Sequence, residues 1–197
     1  MPIDPGPVRN TIIVTAESDP FGADPPYAPA FYEAMGRIVV LWGRFEVFLD
    51  AHQLMVINIA RRFGLERGVL VALRRKTRQI CEIYKACPVL ESDTQTISQL
   101  MSEIDGVAED RNLMIHSLVD GFIDSDPPRL NLRIIEHKKG NVTFKRLAPS
   151  LRELGALAGH IDRLHNRLLP LFLRALPLQE GYETVGTGPP PTPRQAG

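Results

Sequence analysis

The chain is short of most residues that announce a specialised chemistry. Of its 197 residues only Cys81 and Cys87 are cysteines, and their spacing fits neither a zinc ligand set nor a redox pair. A helical stripe accounts for Cys81, and two thiols without a motif suit a reducing compartment. Lys plus Arg and Asp plus Glu both number 23, so the formal net charge is zero. No global field therefore draws the chain to nucleic acid or to an anionic membrane, and any such contact must come from a local cluster. Runs of apolar residues stay well below the roughly 20 needed for a membrane span. The opening MPIDPGPVRNTIIV has no charged segment followed by an apolar one, which argues against secretion. A cytoplasmic protein with no membrane association is the expectation. Glycine-rich phosphate loops and nucleophile elbows are also missing. Carboxylates with metal-ligand spacing are missing too: Glu109 and Asp110 are adjacent and splay to different faces, and Asp105 has no convincing second ligand. The sequence calls for no metal and no cofactor.

What is present is a foldable core. An apolar fraction of 44% beside 23% charged residues describes a globular chain, and the length suits one domain with tails. Prolines at 2, 5, 7, 20, 25, 26 and 29 mark residues 1–29 as an irregular arm, with RNTIIVTA a candidate short strand inside it. The far end, 177–197, closes on GTGPPPTPRQAG and reads as a disordered tail.

Four helical segments fill residues 30–176. The first, from about Ala30 to Arg62, carries Met35, Ile38, Val39, Trp42, Phe45, Leu49 and Val56 at three- and four-residue steps. A second spans about Leu70 to Ala86 and stops before Pro88. The third opens at Ser92 or Asp93, both good N-cap residues, and runs through Ile97, Leu100, Ile104, Val107 and Leu113 to a stop at Gly121. The fourth begins at Ser150, where Ser-Leu-Arg-Glu153 has capping-box spacing, and Pro170 is a candidate kink near its end. Between the last two, RLNLRIIEHKKGNVTFKRL alternates apolar and polar residues around KKGN, the pattern of a β-hairpin over about 129–147. A lone hairpin is marginal, so it should lie against the helices or a second subunit. The expected fold is all-α: a four-helix bundle with a small inserted hairpin.

Chemistry concentrates in AEDRNLMIHSLVDG, residues 108–121. Arg111, Asn112 and His116 sit there on an otherwise apolar helix. Two readings are open. They decorate a helix end, with His116 facing the negative end of the helix dipole, or they form a phosphate-handling site. Asn112 precedes His116 by four residues and shares its face, whereas Arg111 reaches that face only through its long arm. Glu46, beside the first helix's stripe, needs a partner if buried; an arginine from a neighbouring helix or a local one would serve.

A four-helix bundle whose third helix ends in Arg-Asn-x-x-x-His resembles the HEPN superfamily of prokaryotic toxin, defence and RNA-processing ribonucleases. The resemblance runs from about Tyr27 to Leu176 in element order and includes LWGRFEVFLD, RNLMIH and a hairpin before the last helix. It implies a homodimer whose cleft cleaves RNA without a metal, with catalytic roles for Arg111, Asn112 and His116, and an antitoxin or defence-system protein as a possible partner. One departure counts: the tyrosine that the antitoxin-paired branch carries two residues beyond the histidine is here Leu118, so control by tyrosine modification is not implied.

Arg61, Arg62, Arg67, Arg74, Arg75, Lys76 and Arg78 cluster with Glu66 as the sole acid between them. In a neutral chain this suits an RNA backbone, while its other reading is a solvated helix face. His160 and His165 lack metal-site companions and read as surface or interface residues. His52 continues the first helix near its stripe, His137 falls at the hairpin turn, and Trp42 suits core or dimer packing. Dimerisation is expected through the face that carries the third helix.

Overall fold

The computed structural model describes residues 24–138 and 141–180. Four helices, α1 (Ala28–Arg62), α2 (Leu73–Ala86), α3 (Thr94–Ile115) and α4 (Leu151–Glu180), pack around one core. Strands β1 (Leu118–Ile123), β2 (Arg129–Lys138) and β3 (Asn141–Leu147) lie between α3 and α4. The RNTIIVTA segment, the tail beyond 180 and the centre of the KKGN turn fall outside the described residues.

Helix α1 forms along its predicted stripe but starts at Ala28, inside the segment read as an irregular arm; Phe31, Ile38, Trp42, Phe45, Leu49 and Val56 are buried, whereas Met35 is only partly buried and Val39 is exposed. Proline in its first turn removes an N–H that would have no partner there. Its end is a Schellman motif. Gly64 takes a left-handed φ of 73°, its N–H donates to Arg61 O at 3.0 Å, and Leu65 N–H donates to Ala60 O at 3.1 Å. The loop that follows lengthens at the expense of α2, which begins at Leu73 rather than Leu70. Buried glutamines hold that loop: Gln79 Nε2 donates to Gly68 O at 2.9 Å, and the Gln53 amide lies 2.8 Å from that of Gln79 and beside the main chain of Leu70.

The α4 capping box forms at the expected residues. Ser150 N–H donates to Glu153 Oε2 at 2.7 Å and Glu153 N–H donates to Ser150 Oγ at 3.3 Å. Helix α4 runs on through Pro170 and Pro177 to Glu180, so residues 177–180 belong to the helix and not to a disordered tail. Leu171 and Ala175 are buried beyond Pro170, and Leu178 packs on the core. Apolar contact there outweighs the local cost of the prolines.

The largest departure is at Gly121. Helix α3 stops at Ile115, and Gly121 instead lies in β1 with φ 108°, where pairing with β2 slips between Val119 and Phe122. A bulge needs such a residue, because only glycine takes that φ without strain. The insertion is therefore a three-stranded antiparallel sheet in the order β1-β2-β3, not a lone hairpin, and the protein is mostly helical rather than all-α. Phe122 anchors the sheet by packing edge-on against Tyr27, Phe31 and Tyr32, with ring centroids 5.7, 5.6 and 6.0 Å away. Leu130 and Leu132 of β2 enter the core. Among the described residues no helix is long and apolar enough to cross a membrane.

Candidate active site

Arg111 and Asn112 occupy the last turn of α3, and His116 is the residue that caps it. Asn112 joins the two ends of the motif. Its side-chain Oδ1 accepts from Arg111 Nη1 at 2.9 Å, and its main-chain oxygen accepts from His116 N–H at 3.0 Å. Val107, Ala108 and Met114 turn inward from α3. That leaves Arg111 at the rim of the α1–α3 contact, with its guanidinium carbon 5.9 Å from the centroid of the Trp42 ring. Arg111 Nε is shut off from solvent and finds no acceptor among the described residues. Unsatisfied buried donors are uncommon and costly, and they concentrate where a group is held for something other than stability.

The His116 side chain is exposed, open to solvent at the start of the connection to β1. No hydrogen bond or ring contact among the described residues joins its imidazole to Arg111 or Asn112. Within one chain, then, the motif yields an oriented arginine–asparagine pair and a separate, accessible imidazole. Strand β1 follows at once and is braced by Asp120, whose carboxylate accepts from Arg133 Nε at 3.0 Å and from Nη2 at 2.6 Å.

Folding brings no arginine to Glu46 among the described residues. It is half-buried, but among the described residues it makes no ion pair or hydrogen bond with an arginine or with any other group. The side chain on α1 that steadies Arg111 is Trp42, four residues earlier, which works through a ring face rather than a charge. The stripe assigns Trp42 to packing, and it is buried; spacing alone gives no sign that one face also serves the guanidinium.

Folding changes the basic cluster in two ways. Lys76 is buried, with only 6% of its side chain exposed, and forms an ion pair with Asp50 of α1, so it leaves the surface patch. Arg61, Arg67, Arg74, Arg75 and Arg78 are exposed and Arg62 is partly so. Acids from elsewhere in the chain come among them. Arg74 pairs with Glu109 of α3. Two open grooves of about 360 Å³ each flank Arg78. One, between α2 and α3, brings Asp105, Ser98 and Ser102 to Arg74 and Arg78; the other brings Glu66 and Glu82 to Arg67 and Arg75. A stretch with one acid along the chain is thus interleaved with several in space, which weakens its field.

One buried polar pair has no motif to mark it in the sequence. His52 is fully buried on α1, with Nε2 3.2 Å from the Tyr84 hydroxyl of α2 and rings inclined by only 18°. Its Nδ1 has no partner among the described residues, and burial lowers its pKa to about 4. Burial, with the nearby Asp93 carboxylate, pushes the Tyr84 hydroxyl well up. Both groups are neutral around pH 7. His52 stands seven residues after Phe45 and four before Val56, so its place in the stripe is the available signal.

The other titratable groups are quieter. Burial raises both cysteine thiols, which makes neither a primed nucleophile. His160 is half-buried 4.0 Å from Glu103, and burial, then Arg163, lowers its pKa. His165 packs on Phe48 at 4.6 Å. Among the described residues no three His, Cys, Asp or Glu side chains meet so as to hold a metal ion. No family model, curated protein or solved structure matches this chain.

Proposed function

We propose that the end of α3 handles phosphate, and that the chain is a metal-independent endoribonuclease acting as a homodimer in a toxin or defence setting, as its likeness to HEPN proteins implies. The observation that supports this reading is that one short segment carries both a pre-oriented guanidinium and, apart from it, a solvent-open imidazole. Arg111 is held by Trp42 and Asn112, and His116 is not buried under its own chain.

The chemistry follows from those groups. An imidazole can take the proton of an RNA 2′-hydroxyl. The 2′-oxygen then attacks phosphorus, the bond to O5′ breaks, and a second imidazole returns a proton to the leaving oxygen. The products are a 2′,3′-cyclic phosphate and a 5′-hydroxyl. Arg111 meets the negative charge that builds on the phosphoryl oxygens, and its planar fork does so at two points. One chain offers one such histidine, so base and acid together require two copies.

The test is cleavage of a purified RNA by the wild-type chain, His116→Ala and Arg111→Ala. Each variant should keep its fold and lose about two to four orders of magnitude in rate. Wild-type cleavage by either variant would remove the assignment. A second reading, a module of the same fold that binds RNA, nucleotide or a protein partner without cutting, is favoured by the separation of Arg111 from His116 within the chain and by the acids among the basic residues. Binding without any cleavage would select it.

A further inference from the structure

The face of α1 opposite the core is apolar. On a 35-residue helix packed on one side, that face should carry charge. Instead it reads Gly36, Val40, Gly43, Val47, Ala51 and Leu54 at steps of three and four residues, all exposed. Val40, Val47 and Leu54 are 53, 71 and 47% exposed. A side chain built at Gly36 or Gly43 would meet nothing within 4 Å, so these glycines leave shallow notches in the stripe that nothing within the described chain fills. Helix α3 offers no such surface: its exposed positions are Gln95, Thr96, Gln99, Ser102, Gly106, Glu109 and Asn112.

We propose that this stripe is a self-association surface on which a second copy of the chain lays its own α1 antiparallel, with the two-fold axis beside Val47. The order of residues argues for that occupant, because the stripe is close to palindromic. Reversing it about Val47 sets Val40 level with Leu54 of the second copy and Gly43 level with its Ala51. Valine meets leucine and a notch meets a methyl, so the helices can approach closely. The pattern spans about 21 Å from Val40 to Leu54. Charge agrees with the direction. The same reversal sets Arg44 level with Asp50 of the second copy, whose carboxylate pairs with Lys76 of its own chain but stays about half exposed, and Glu33 level with its Arg61; a parallel pair would set each beside its own like charge. A two-fold contact of this kind is self-complementary and closes at two copies. The pairing is independent of whether Arg111 and His116 are catalytic, although it would supply the second copy that the proposed mechanism requires.

The experiment measures mass in solution by light scattering and sedimentation across micromolar concentrations, using the full chain, Val47→Glu and Gly43→Leu. The wild type should have twice the chain mass, and each variant should weaken association at least about tenfold. Gly43→Leu enters open space in the single chain, so its loss of pairing cannot be laid to misfolding, and circular dichroism on both variants confirms the helices. Orientation is read by mild oxidation. Val40→Cys and Leu54→Cys chains should crosslink when mixed and not separately. A wild-type monomer overturns the proposal, as does a dimer indifferent to both substitutions, which would lie on another face. Crosslinking of each cysteine variant with itself overturns the antiparallel arrangement. RNA cleavage is not the readout, so this result and that of the nuclease assay are separable.

Discussion

Arg111 rests against the ring of Trp42, its guanidinium carbon 5.9 Å from the ring centroid, so a residue of the last turn of α3 is oriented by the buried stripe of α1. The contact couples the candidate site to the core. A cation over an indole contributes about 0.5–1 kcal/mol when partly exposed. Trp42→Phe should therefore cost more in stability through reduced volume than through the cation contact, roughly 1–2 kcal/mol in all. It should lower RNA cleavage by more than the shift in urea midpoint accounts for, because Arg111 loses its rest. Arg111→Lys should fold normally and cleave poorly, since an ammonium cannot reproduce the fork. Equal cleavage by Arg111→Lys and the wild type would show that only charge matters there.

Chelator and substrate sugar separate this mechanism from most other nucleases. Cleavage should persist in EDTA, fail on DNA of the same sequence and leave 2′,3′-cyclic phosphate ends, because the nucleophile is the 2′-hydroxyl. End-mapping of an RNA and a DNA oligonucleotide, each with and without chelator, reads all three. A DNA product or chelator-sensitive cutting would exclude the mechanism.

Lys76 and the exposed arginines should separate cleanly. Arg74, Arg75 and Arg78 neutralised together should weaken RNA binding and flatten its salt dependence, since a phosphate that no arginine meets keeps its counterion. Lys76→Met should leave that slope unchanged. Its effect is on stability, because Asp50 is left without its partner; the carboxylate is about half exposed, so the cost should be modest, roughly 1 kcal/mol. Urea midpoints and a plot of binding against salt for the two variants test the division.

Stability should fall with acid through His52. Its folded pKa is about 4 against an ordinary 6.5, so the unfolded chain binds the proton more readily. Stability is therefore full above pH 6.5 and declines as pH falls from there toward 4, by an amount on the order of 3 kcal/mol. His52→Phe should be less pH-sensitive over that window in urea titrations. An unchanged pH profile would mean that another group carries the acid sensitivity.

The α4 capping box gives a local check. Ser150→Ala removes the hydroxyl that accepts from Glu153 N–H, and should cost about 1 kcal/mol. Burial acts to raise the Glu153 pKa, but hydrogen bonds from Ser150 and the Arg129 guanidinium outweigh it and hold the carboxyl below its usual range. Its contribution is thus present above the unfolded carboxyl pKa and disappears as pH falls through the folded one. Comparing Ser150→Ala with the wild type at neutral and acid pH should show the difference shrinking in acid.

By itself the sequence determined what depends on neighbours along the chain. The stripe Ile38–Trp42–Phe45–Leu49 and the Ser150–Glu153 box follow from a period and a fixed spacing, and both stand in the structure; β2 and β3 form where the alternation placed them, but burial does not alternate along them, since Asn131 is buried and Thr143 to Arg146 are all exposed. The Arg111–Asn112 contact also belongs here, since adjacent residues on one turn need no distant partner. Tertiary structure decided the rest. Gly121 has the same local signature as a helix stop and as a bulge, and only pairing with β2 selects the bulge. Helix α4 passes Pro170 and Pro177 because Leu171, Ala175 and Leu178 find the core. Lys76 is drawn inward beside Asp50, while Glu46, with the same claim to a partner, receives none among the described residues; charge patterns along a helix do not record which face a neighbouring helix will cover. The valines of α1 show the same limit from the other side. Val39, Val40 and Val47 are as apolar as the residues that became core, and which stripe was left open was settled only when α4, α2 and α3 packed against the other side.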